Sequence, residues 1–428
     1  MRDTEERNPS SPRRKLFHGY WILAVAFLYL FMFSGCGVGV FSLFVQPLQS
    51  QFGWGRGEIM FAFTIYFLLV GLAAPFIGSL IDRYGVRKVT VIGATVVGIG
   101  FASLSQLQSL WHYYGAYLFI GAGMATVGQV PASTLVANWF QKRRGTAIGV
   151  MSVGIGAGIL VLAPLLGGCI IPQFGWRNAY LALAVFIWLL VPLTLLVVRT
   201  RPQEMGLYPD GVEAPEHNLL PTSISTTSQG LSLKMALGTS VFWLMGISFF
   251  INGYGSMGVT QSQVPHLQDI GFPLSQASSA LTGLGIGSAI GKFVFGWLCD
   301  KIHAKYACAI SLFLLGMGTF MLLGIDAQSS MAFIWCYAII YGLGNGGWLP
   351  TMSMLVNINF GLASYGAILG MVNMVQSTGC AIGPLFAGYM FDTLGTYRLP
   401  FTVFLASYIP GIIAILVTRR PRQYRPAK

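Results

Sequence analysis

The chain alternates between long apolar runs and short polar breaks. At about 20 residues per bilayer crossing, the runs predict twelve helical spans. The first six cover residues 20–46, 57–80, 88–107, 111–138, 145–170 and 178–198. The second six cover 237–263, 275–299, 305–325, 330–357, 364–390 and 399–418. Only one polar segment is long: Thr200 to Met235, rich in Pro, Ser, Thr and Glu, reads as a solvated linker. The pattern predicts an all-α membrane protein with twelve transmembrane helices in two six-helix bundles, residues 18–199 and 236–418. A cytoplasmic linker over 200–235 joins them, and tails cover 1–17 and 419–428.

The distribution of positive charge sets the orientation. Arg56, Arg177 and Arg398 fall in alternate loops on one side, and Lys292 falls within a span. The rest of the 25 Lys and Arg lie in the tails and the other set of loops, which places both termini in the cytoplasm. The N-terminal MRDTEERNPSSPRRKLF runs into a full-length span without a clear cleavage site, so it reads as a retained tail and not a signal peptide. An integral protein of the cell (inner) membrane is expected, with the lipid bilayer as its surroundings.

Composition agrees with this and removes other classes. The chain of 428 residues is 54% hydrophobic and 9% charged, with mean hydropathy +0.67, where soluble domains carry about 25% charged residues. The net charge of +12 is scattered between apolar runs and forms no compact basic face, so no nucleic-acid partner is expected. Six cysteines stand singly, with no Cys-x-x-Cys and no His/Cys pairing, so neither a disulfide framework nor a metal site is supported. Without a nucleophile–base set or a nucleotide loop, neither an enzyme nor an ATP-driven pump is expected, and no cofactor.

One charge lies deep in a predicted span. In Leu281 to Lys301, LTGLGIGSAIGKFVFGWLCDK, Lys292 sits about 7 Å to the cytoplasmic side of the span's middle. A Lys at such depth costs on the order of 2.5–3.5 kcal/mol on insertion scales, so it normally faces a polar interior and has a role. The alternative is a Lys that snorkels to the headgroups or to Asp300, about 12 Å along the helix.

The two halves repeat. Ile77-Gly78-Ser79-Leu80-Ile81-Asp82-Arg83 returns as Phe295-Gly296-Trp297-Leu298-Cys299-Asp300-Lys301, 218 residues on. Leu135 to Phe140 returns as Leu355 to Phe360, offset by 220, and Pro164 and Gly168 return as Pro384 and Gly388. Parallel six-helix repeats with a site between them are an architecture of secondary transporters. The counterpart of Lys292 is Ala74. The scaffold position therefore does not itself require a charge.

The loop Gly78-x3-Asp82-Arg83-x-Gly85-x-Arg87-Lys88, with its partial copy Gly296-x3-Asp300-Lys301, resembles the hallmark of the major facilitator superfamily. Gly78 permits close helix approach, and Asp82 can pair with a cation or a helix N-terminus across the bundle interface. The alternative reading of these charges is that they only anchor the cytoplasmic face. Asn138-Trp139-Phe140-Gln141-Lys142-Arg143-Arg144-Gly145, with Gly149, Gly154, Gly156 and Gly158 following, resembles the start of the fifth helix in monocarboxylate porters and oxalate:formate antiporters. His18-Gly19-Tyr20-Trp21 is a weaker match to the same group. The resemblance implies the major facilitator fold. It also implies gating at Gly78, Asp82, Arg83, Arg87, Gly296, Asp300, Lys301 and Arg144, and it assigns Lys292 the position of an Arg that binds the substrate carboxylate. A Lys there offers a point charge without the bidentate fork.

Two departures bear on the substrate. Proton-coupled animal members carry an acid where this chain has Ser288 and a first-helix Lys where it has Gly39. The antiporter's second cation falls near Val372 and Asn373. One buried cation with no intramembrane carboxylate matches a monoanion better than a dianion. Ser288, Gln129, Asn252, Tyr254, Asn345, Asn373 and Gln376 are further candidates for the substrate route, with interhelical hydrogen bonding the competing role for each. The expectation is alternating-access transport of a small organic monoanion, a monocarboxylate, coupled to a proton or to anion exchange, by a monomer. The rivals are an exporter of an amphiphilic or aromatic solute and a non-transporting receptor on a transporter fold.

Overall fold

The computed structural model describes residues 17–140, 144–205, 207, 231–361 and 364–419, without the side chains of residues 74, 75, 82 and 144–146. Most of the predicted linker and both tails lie outside the described residues. Nine described segments are long and apolar enough to cross a membrane. One of them, Ala147–Val197, turns back at Gly175 and so makes two passes. Ser240–Asp269, and Met331–Gly346 followed by Trp348–Phe360, complete twelve.

Several passes are single helices: Arg56–Tyr84, Val86–Leu104, Leu274–Lys301, Ala304–Leu323, Tyr365–Leu394 and Arg398–Val417. Others are broken. The first pass runs through Gly19–Met32, a π-helical turn Phe33–Gly39, a 3-10 turn Phe41–Phe44 and Val45–Phe52. The fifth ends in a second π-helical turn, Leu165–Ile170. The fourth is split into Leu110–Met124 and Gln129–Trp139. Helix starts are fixed locally: Ser109, Thr239 and Ser330 each accept the backbone N–H three residues on, as an N-cap does.

The internal repeat is visible in the backbone. Left-handed glycines close equivalent corners in the two halves, Gly53 (φ 69°) with Gly271 (φ 107°) and Gly175 (φ 82°) with Gly395 (φ 67°). These are the offsets of 218 and 220 residues read from the sequence. In water-free surroundings helices associate through close backbone approach at small residues. The first and fifth passes meet at Gly35, Gly154 and Gly158, and the seventh and eleventh meet in the equivalent way at Gly253, Gly379 and Gly383.

Two long seams join the halves, and the first pass also touches the seventh. The second pass packs along the eleventh, and the fifth along the eighth. We call the end of the bundle that carries the linker and chain ends proximal, and the opposite end distal.

Candidate functional site

The eighth pass presents two small-residue stripes. Gly283, Gly287 and Gly291 face the tenth pass, where Gly342 and Gly346 answer them. A Cβ on Gly346 would lie 2.8 Å from both the Gly291 Cα and the Lys292 backbone nitrogen. The second stripe, Gly285 and Ala289, faces Gly156 and Leu160 of the fifth pass, in the other half. Lys292 continues that second stripe one turn toward the proximal end. Both backbones around it are thereby fixed by glycine contacts.

Lys292 is half-buried, and its Nζ lies 3.4 Å from the Ser152 carbonyl across the seam. That is a long hydrogen bond to a neutral acceptor. Among the described residues no carboxylate reaches it; the ion pair found there is Arg56 with Asp269. Counted along the helix, Lys292 stands about 27 Å from the distal start at Leu274. A cavity of about 360 Å³ opens one turn further on, at Gly296, lined by Cys299, Pro350, Ser353, Met354, Asn357 and Tyr365.

The distal end of the interface is closed by charge. The Arg56 guanidinium, 3% exposed, donates from Nη1 and Nη2 to the two carboxylate oxygens of Asp269, both at 2.6 Å. Its Nε donates to Gln49 at 2.9 Å, and its Cζ sits 3.8 Å from the centroid of the Phe391 ring. Gln46 also donates to Asp269, at 3.0 Å. Asp392, from the eleventh pass, accepts the backbone N–H groups of Arg56 and Gly57 at 2.7 Å each. These are among the unpaired donors that open the second pass, so the other half caps this helix. Beside them, outside the spans, burial pushes the Tyr397 phenol up to about 12, with the Arg56 guanidinium pulling the other way. Deeper in the seam, Thr64 donates to the Ala381 carbonyl at 2.7 Å.

The remaining candidates are dispersed. Ser288 is buried one turn before Lys292, with its carbonyl against Gly346. Gln376 donates to Asn252 at 2.9 Å, so these two satisfy each other within the second half. Tyr254 belongs to an aromatic group with Phe250, Phe386 and Phe404. Gln129 and Asn373 are exposed and Asn345 is half-buried. Of the proximal set, Arg83, Asp300 and Lys301 are exposed and Gly78 and Gly296 half-buried. Arg87 donates to the Leu195 carbonyl at 2.5 Å within its own half. The side chains of Asp82 and Arg144 lie outside the described residues.

The model of the Major Facilitator Superfamily matches residues 25–384, and again 245–428. The chain belongs to this superfamily. Its relatives within the superfamily include the mouse monocarboxylate transporter 11, 26% identical over 405 residues, covering 91% of this chain and 85% of that protein. The mouse monocarboxylate transporter 12 is 24% identical over 397 residues, 88% of this chain and 81% of that protein. An uncharacterized transporter of the superfamily type from Bacillus subtilis (strain 168), YcxA, is 23% identical over 412 residues, 91% of each chain. The facilitator fold recurs in a mutant form of the nucleoside transporter NupG, with TM-score 0.74 and 13% identity over 93% of this chain and 99% of that one. A bacterial homologue of the human lysosomal transporter Spinster, inward-facing and occupied, gives TM-score 0.71 at 16% identity over 94% of this chain and 96% of that one. The protein is thus a facilitator-superfamily transporter related to monocarboxylate transporters.

The sequence pointed to Lys292 but not to the residues of the distal seam. Asp269 and Asp392 stand 213 and 336 residues from Arg56, and each of the three alone reads as a solvated charge at a span end. A signal was available in Arg56 and Asp269, which fall in corresponding distal loops of the two repeats with opposite sign.

Proposed function

We propose that the protein is a secondary active transporter of a small organic monoanion, a monocarboxylate, and that Lys292 anchors the carboxylate. The observation that carries this reading is an ammonium inside the bundle, on the seam between the halves, that meets only a neutral carbonyl at 3.4 Å. A buried charge without a counter-charge is costly. A substrate carboxylate supplies that counter-charge and displaces a weak contact at no loss. The relatives named as monocarboxylate transporters support the same substrate class. Ser288, one turn earlier on the same helix, completes the anchor with a hydroxyl.

The two halves alternate in access by rocking about this level. The cross-half bonds at Arg56, Asp269 and Asp392 support reading this form as shut at the distal, outer side and inward-facing. Gly78, Asp82, Arg83, Arg87 and Arg144, with Gly296, Asp300 and Lys301, would close the proximal, cytoplasmic side in the opposite state. With one cation in the site and no carboxylate beside it, the cycle is electroneutral: a proton travels with the anion, or one anion exchanges for another. Uptake of radiolabelled monocarboxylates into proteoliposomes tests this. Lys292→Ala is expected to abolish saturable uptake in an inserted, folded protein, and Lys292→Arg to retain part of it, since charge is kept and geometry is not. Wild-type uptake by the Ala variant would refute the anchor. Flux that builds a membrane potential regardless of pH gradient or internal anion would refute electroneutrality.

A further inference from the structure

The distal half of the seventh pass carries four consecutive polar residues, Thr260-Gln261-Ser262-Gln263, all buried. Gln263 is accounted for within its own half: its Nε2 donates to the Thr260 carbonyl at 3.2 Å and its Oε1 accepts from Tyr337 at 2.6 Å. Gln261 is different. It is fully buried, and its Nε2 crosses to the other half and donates to the Val38 carbonyl at 2.9 Å. Its Oε1 has no hydrogen-bond partner among the described residues.

Val38 lies in the π-helical turn Phe33–Gly39 of the first pass, a geometry that recurs at functional sites. The 3-10 turn that follows, Phe41–Phe44, packs against the seventh pass, and its Ser42 is fully buried with an unpartnered Oγ. The hydroxyl of Tyr66, which lies against Gly37 of the π turn, is likewise unpartnered. A buried polar atom left without a partner is costly. A seam built only to pack would carry apolar side chains at these places. The seam in question is the one that must part if access alternates.

We propose that Gln261, with Ser42 on the turn packed against its helix, lines the distal half of the translocation path and passes the anion's carboxylate between Lys292 and the distal side. This rests on the transport reading above. When the halves part, the Gln261 amide leaves Val38 and, with the Ser42 hydroxyl, offers N–H and O–H donors to carboxylate oxygens. Both groups are uncharged. They guide an anion without holding it, as a step between a binding site and solution requires. Along the helix axes Gln261 stands about 15 Å distal to Lys292, too far for both to grip one small carboxylate together.

The test is thiol accessibility. Gln261→Cys and Ser42→Cys are each placed in a protein whose exposed Cys169 and Cys336 are replaced by Ser, in sealed vesicles, with and without Asp269→Asn. A membrane-impermeant anionic methanethiosulfonate is added from the side on which Gln51→Cys, at the exposed distal surface, reacts. Both buried positions are expected to react slowly with the Arg56–Asp269 pair intact and at least about tenfold faster without it, and reaction is expected to block uptake. Ser42→Cys is nearly isosteric, so it carries the test if Gln261→Cys does not insert. Absence of reaction at both positions in both backgrounds, while Gln51→Cys reacts, would overturn the proposal. Reaction at these positions together with normal transport by Lys292→Ala would leave the path assignment standing and remove the anchor reading.

Discussion

At the distal end of the interface, positive charge meets negative charge twice over; halfway down, it meets none. Arg56 holds a bidentate carboxylate at 2.6 Å, and the helix that begins with it is capped by a second carboxylate. Lys292, on the companion seam, reaches among the described residues only a carbonyl at 3.4 Å. Arg56 is enclosed and Lys292 half-buried, and both bridge the halves. Charge in this interface therefore occurs in two separate settings. Where it is complete it joins the halves, and where it is incomplete it leaves an ammonium with no carboxylate beside it among the described residues, the feature on which the proposed anchor rests.

The largest effect is expected from Asp269→Asn. It leaves the Arg56 guanidinium enclosed without its carboxylate; because Asp269 is 27% exposed, the loss is on the order of 2 kcal/mol, between a surface and a buried pair, borne by the distally closed form. That is enough to move a two-state population by about thirtyfold. Spin labels at Gln51 and Gln276, both exposed at the distal end and in opposite halves, should then report a longer distance. An unchanged distance would mean that the pair does not hold the halves together. Asp392→Ala removes a helix cap, worth about 1 kcal/mol, and should shift the same distribution partway. Asp300→Asn, at an exposed proximal position, is expected to change the closed form by less than about 0.5 kcal/mol and leave the distal distance as it was. A large distal effect from Asp300 would erase the contrast.

The fold was legible because lipid imposes its own length and polarity on every pass, and because the repeat at offsets of 218 and 220 doubles each signal. The breaks within passes were not. The π turn Phe33–Gly39 sits inside a predicted uninterrupted span, and its shape follows from Gly35 against Gly158, Gly37 against Tyr66 and Gly39 against Ile159. Those are tertiary contacts with no local sequence signature. Lys292 was legible as a charge out of place. Asn252 and Gln376 were legible as buried polar groups, yet nothing in their spacing shows that they pair with each other. Gln261 could have been singled out from its run of four polar residues in one span.

Asp392 sits on the first N–H groups of the second pass, so the electrostatic field at the distal mouth depends on whether that mouth is shut. Closed, the guanidinium and the positive end of the helix dipole meet two carboxylates of the other half, beside Glu58 of their own, which accepts the Gly55 N–H at 2.9 Å. Opened, as the proposed cycle requires, the first half would keep Arg56 with Glu58 and the second half Asp269 with Asp392, so the charges would part onto facing walls. Walls within a Debye length of about 8 Å at physiological salt would still feel each other's field. In the proposed cycle, opening would thus rearrange the charges of the mouth without changing their sum.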